Sequence, residues 1–117
     1  MELAAADGKW CDVGHIFETF VFGEILKSYY NDGIVRPPIY YYRDKEKREI
    51  DLVIKQGEIL YPIEIKASSD PKKEMVKSFD VLDKIPGKKR GSGAIVCLAK
   101  ERLPLMEDVW MVPAGMI

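Results

Sequence analysis

Cysteine and histidine are nearly absent from this sequence, and no surplus of charge of either sign offsets that. Cys11 and Cys97 stand far apart without a C-x-x-C, and His15 is the single histidine. Neither a disulfide framework nor a Cys/His zinc site has support, and a reducing, cytoplasmic setting is the expectation. Lys and Arg number 18 against 19 Asp and Glu, a formal net charge of -1. No overall basic field draws in nucleic acid or membrane, so any anion site has to be local. A long apolar run is missing too: the stretch from His15 to Tyr30 is broken by Glu18, Glu24 and Lys27, too polar for a membrane span. The first residues lack the basic head, apolar core and small-residue cleavage site of a secretory signal. No repeat, low-complexity tract or Pro/Gly/Ser-rich linker divides the chain.

What is present suits one domain. The 117 residues are 47% hydrophobic and 32% charged, and a single core at that length buries roughly two thirds of the unfolded surface. Asp12 can cap a helix from Val13, with Ile16, Phe17, Phe20, Val21, Ile25 and Leu26 at helical spacing and Asn31-Asp32-Gly33 as the stop. That broad apolar set predicts a heavily buried helix. Pro37-Pro38 forbids helix and leads into a strand over Ile39 to Tyr42. A charged loop, Arg43 to Arg48, precedes a strand from Glu49 to Gln56; Gly57-Glu58 then turns the chain into a third strand, Ile59 to Lys66. Asp70 as cap and Pro71 as first residue predict a second helix carrying Met75, Val76, Phe79 and Leu82 on one side, ending near Gly87. Gly93 to Ala99 reads as a buried strand, and Val109 to Val112 as a short last one.

Charged residues inside the second and third strands carry the chemistry. Alternation places Ile50, Leu52 and Ile54 on one face, and Tyr61, Ile63 and Ile65 on one face of the next strand, which predicts these as the core faces. A turn at Gly57-Glu58 makes partner numbers sum to 115, so Asp51 opposes Glu64 and Glu49 opposes Lys66. Two carboxylates about 5 Å apart repel by roughly 3 kcal/mol at an effective dielectric of about 20. A positive charge should therefore share the site. Lys66 supplies one; Mg²⁺ or Mn²⁺ held by Asp51 and Glu64, with waters and the Ile65 carbonyl, would supply more. Such a metal with an adjacent lysine suits phosphodiester hydrolysis. Acid-x-Lys triplets also occur at Asp7 and Asp70, so strand context carries the weight, and a solvated face on which Lys66 pairs with Glu49 or Glu64 is the plain alternative.

The segments "GHIFETFVFGEILKSYYNDG", "YYYRDKEKREIDLVIKQGEILYPIEIKAS" and "GAIVCLA" closely resemble the domain of unknown function at the C-terminus of many prokaryotic P-loop (AAA-type) ATPases, a domain similar to the PD-(D/E)xK nuclease-like fold. The resemblance runs roughly from Gly14 to Pro113. It implies a restriction-endonuclease-like α/β fold with an α-β-β-β-α-β core, a mixed sheet flanked by helices. By resemblance, Asp51 takes the role of the motif's Asp, Glu64 and Lys66 those of its (D/E)xK pair, and Glu18 that of a first-helix Glu. Ile50 stands where the motif has Pro. No G-x-x-x-x-G-K-[ST] loop is present, so this chain does not hydrolyse ATP by that route and resembles the isolated C-terminal domain of a longer ATPase. The implied function is metal-dependent cleavage of DNA or RNA; the alternative is a catalytically inactive module on the same fold that binds nucleic acid or protein.

Beyond the motif, Lys72, Lys73, Lys88, Lys89 and Arg90 could follow a nucleic-acid backbone, or form no more than a solvated surface. Tyr40, Tyr41 and Tyr42 alternate faces and cannot form one stacking platform, so packing is their expected role. His15 is read as structural or exposed. The apolar ends, Met1 to Ala6 and Met111 to Ile117, leave room for docking on an ATPase domain or on a second copy.

Overall fold

The turn at Gly57 sets the sheet. Gly57 takes φ +63°, a backbone that L side chains rarely adopt, and it pairs two strands in the expected register, from Leu52 opposite Ile63 to Gln56 opposite Ile59. The computed structural model describes residues 13–116, with side chains from Ile16 onward. The first helix, α1, spans Val13–Asn31. Gly33 ends it at φ +83°, its N–H donating to the Tyr30 carbonyl at 3.0 Å. The expected cap Asp12 lies outside the described residues, as do Cys11 and the side chain of His15.

Strands β1 (Ile39–Arg43), β2 (Glu49–Gln56) and β3 (Ile59–Ile65) form an antiparallel meander. A 3-10 helix, Lys73–Lys84, crosses over to β4 (Lys89–Arg90) and β5 (Gly93–Cys97), both parallel to β3. Then β6 (Leu103–Met106) and β7 (Val109–Pro113) complete a seven-stranded sheet of order β1-β2-β3-β5-β7-β6, with β4 pairing to β3 off this path. Because β7 runs parallel to β5 and antiparallel to β6, the sheet is mixed. No described helix is long and apolar enough to cross a membrane.

Both sheet faces are core, a correction to the expectation of one solvated face. Val21 and Ile25 of α1 pack with Leu52, Ile65 and Val96 on one side. On the other, Val76, Phe79, Val81 and Leu82 of the 3-10 helix pack with Ile50, Val53, Leu60, Ile95 and Val109. Each of these larger side chains contributes roughly 1.5–3 kcal/mol by leaving water. Ile50 and Leu52, two apart and expected on one face, fall in opposite clusters. An extra residue between them accounts for this: Tyr40 pairs with Val53 but Tyr42 pairs with Ile50, so Asp51 and Leu52 together oppose Tyr41 in a β-bulge.

Two helix expectations are also corrected. The second helix starts at Lys73 and is capped by Lys72 without a side-chain bond, while Asp70 instead accepts from the Lys72 ammonium at 2.6 Å. Its geometry follows its sequence: Val76, Phe79 and Leu82, all buried, recur every three residues, and three residues per turn stacks them in one line against the sheet. On α1 only one flank meets the sheet, so Ile16 and Phe20, expected to be buried, are exposed.

Gly93 marks the tightest contact with the crossover. A Cβ there would stand 2.7 Å from Phe79 Cε2 and 3.2 Å from Pro62 Cγ, and both neighbours are buried. Gly93→Ala is expected to destabilise the fold by about 1–3 kcal/mol through overpacking, read as a lower urea midpoint with an unchanged slope.

Candidate functional site

The bulge in β2 builds the site. Past the last paired residues of β2 and β3, Leu52 opposite Ile63, side chains of Asp51 and Glu64 take over main-chain pairing. The Asp51 N–H donates to Glu64 Oε1 at 3.2 Å, and the Ile65 N–H donates to Asp51 Oδ2 at 2.9 Å. Each carboxyl is thereby tied to the other residue's strand, which holds the two groups side by side. Glu64 is 5% exposed, and no buried side-chain nitrogen or oxygen among the described residues is left without a partner.

Burial dominates the electrostatics. It pushes the Glu64 carboxyl from an ordinary 4.5 up to about 8, and the neighbouring Asp51 charge adds to the rise. The Asp51 N–H and the Lys66 ammonium pull it partly back down. Near neutral pH Glu64 therefore retains its proton, which removes most of the repulsion between two full charges. Lys66 is half-buried; its N–H donates to the Val96 carbonyl at 2.9 Å, fixing the end of β3 against β5. Among the described residues its ammonium closes no ion pair, and Glu49, its expected alternative partner, faces Arg43 at 3.5 Å.

Glu18 comes from the other side. It lines one open cavity of about 280 Å³ together with Thr19, Phe22, Tyr41, Asp51 and Ile65, so α1 brings its carboxyl to the Asp51 side of the pair. The expected basic track is elsewhere: none of Lys72, Lys73, Lys88, Lys89 and Arg90 lines this cavity. Lys72 pairs with Asp70, Lys88 with Glu58, and Arg90 with both Asp80 and Asp83. Lys73 and Arg90 meet instead around a second cavity of about 200 Å³ beside the 3-10 helix, with Asp80, Glu107 and Asp108 on its walls.

Phe22 is a lining residue that the sequence did not single out, and Tyr41, expected only to pack, is exposed and lines the cavity as well. Phe22 follows Glu18 by four residues and so shares its helix face, a signal that was readable. Tyr41 reaches the cavity because it stands opposite the bulge, and nothing in the sequence announces that irregularity.

A family model described as Domain of unknown function (DUF4143) matches residues 13–117. The chain belongs to this family. The matched span takes in α1, the bulged hairpin and the whole sheet, so every residue of the carboxylate site lies within it. No curated protein and no solved structure matches the chain.

The proton on Glu64 has a measurable consequence for this DUF4143 domain. The folded chain retains it up to about pH 8, whereas the unfolded chain releases it near 4.5. The folded state thus binds more protons between those values, and stability is fully present below about 4.5 and falls as pH rises toward 8. A loss on the order of a few kcal/mol is expected across that window, with Glu64→Gln flattening the profile; urea titrations at several pH values check both.

Proposed function

We propose that this domain is a metal-dependent phosphodiesterase of the PD-(D/E)xK, restriction-endonuclease-like kind, acting on DNA or RNA beside a P-loop ATPase domain. The observation that carries this reading is the bulge, which sets Asp51 against Glu64 with Lys66 two residues further on. The donor set fits the ion. Each carboxyl gives one oxygen to a main-chain N–H and engages the other carboxyl through a hydrogen bond, which an ion would replace; two carboxylate oxygens completed by water and substrate phosphate is the pattern Mg²⁺ takes. No cluster of three or more His, Cys, Asp or Glu groups occurs among the described residues, so Asp51 and Glu64 would hold Mg²⁺ or Mn²⁺ as a pair. Bound there, the ion supplies Lewis-acid polarisation of the phosphoryl group and a more acidic attacking water.

The chain's own groups supply the rest. Glu64 has to surrender its proton before it can serve as a ligand, so ion affinity rises with pH through about 8. Lys66, half-buried and in no ion pair among the described residues, would neutralise charge that builds on phosphoryl oxygens in the transition state. Glu18, which lines the same cavity as Asp51, would orient the attacking water.

One observation favours a second reading. Glu64 is nearly sealed from solvent and protonated at neutral pH, a state in which the domain would serve as a silent binding module for nucleic acid or protein. Titration calorimetry with Mn²⁺ and cleavage assays on single- and double-stranded DNA and RNA separate the two. Under the enzymatic reading, Asp51→Ala abolishes Mn²⁺ binding, whereas Lys66→Ala keeps it and lowers cleavage by about 100-fold or more. Absence of both Mn²⁺ binding and cleavage leaves the silent module standing.

A further inference from the structure

Two large aromatic side chains stand in water at the rim of the carboxylate cavity. Phe22 of α1 is 40% exposed and Tyr41 of β1 is 59% exposed, and both line the same cavity as Glu18 and Asp51. We propose that this rim is a stacking site for an unpaired nucleobase, which makes single-stranded nucleic acid the substrate class of the site. The proposal rests on the phosphodiesterase reading and adds to it the form of the strand.

Three observations converge on it. The cavity holds about 280 Å³, just below the roughly 300–1,000 Å³ that small-molecule pockets span and of a size for one nucleotide unit rather than a duplex. Within a duplex the base faces are already stacked on one another and cannot reach a protein ring without flipping out. Of the five cations expected to follow a backbone, Lys72, Lys88 and Arg90 each face a carboxylate of this chain, and none of the five lines the cavity. Affinity then has to come from ring stacking, which contributes about 1–3 kcal/mol per base and tolerates any sequence.

Fluorescence anisotropy of a short labelled homopolymer, as single-stranded DNA, as single-stranded RNA and as the corresponding duplex, tests this with Ca²⁺ replacing Mg²⁺ to prevent turnover. Single strands are expected to bind at least about tenfold more tightly than duplex. Phe22→Ala and Tyr41→Ala should each weaken single-strand binding by roughly 5- to 100-fold, and Tyr41→Phe should retain it. Both residues are exposed, so circular dichroism of the variants should be unchanged. The DNA and RNA arms decide which sugar the rim accepts. Duplex binding as tight as single-strand binding, indifference to the alanine substitutions, or no binding of either form overturns the proposal. Stacking-dependent binding without cleavage in Mg²⁺ or Mn²⁺ sinks the phosphodiesterase reading while the preference for unpaired bases stands.

Discussion

Everything at the candidate site depends on one extra residue in β2. A regular antiparallel pair would engage main-chain groups with one another in alternate pairs and leave the acidic side chains independent of one another. With Asp51 and Leu52 both opposite Tyr41, main-chain donors turn to carboxyl oxygens instead. Two acids then become structural members of the sheet. An unpartnered carboxyl at 5% exposure would be costly to fold around, and here the compensation comes from a main-chain donor, a nearby ammonium and a retained proton. The resulting pair is rigid because moving either side chain breaks a main-chain hydrogen bond.

The same irregularity organises the packing. By shifting Ile50 to the side of the 3-10 helix while Leu52 stays under α1, it lets one short strand feed both cores. Glu18 and Asp51 can share a cavity because α1 lies on the face to which the bulge turns Asp51. Structural and chemical roles of the hairpin therefore cannot be separated cleanly: residues that carry the candidate chemistry also complete the hydrogen-bonding of the sheet.

Much of this was legible in the sequence, for identifiable reasons. The boundaries of β2 and its register with β3, which brings Asp51 beside Glu64, followed from a Gly at a turn position and from period-two alternation, both local and steric. The bulge was not legible, since a single extra residue leaves no compositional trace, and it alone misassigned Ile50. The burial of Glu64 was missed because a strand covered on both faces can present an acid to a dry interior, while alternation suggested a solvated side. For the crossover, the spacing of Val76, Phe79 and Leu82 fits a three-residue turn, and an α-helical period was assumed where a tighter one packs better. The over-predicted burial of α1 has another cause, because an apolar helix flank is covered only when something lies across it.

Strand β1 forms one border of the sheet, a position where unpaired main-chain groups can recruit a strand from a neighbouring molecule. A border kept in even register would be a good template for such joining. Here the offset between Tyr40 and Tyr42 increases the local twist, and Pro37-Pro38 at its entrance withholds donors. The irregularity that gathers the acids thus also guards the chain against fibrous self-association along that margin.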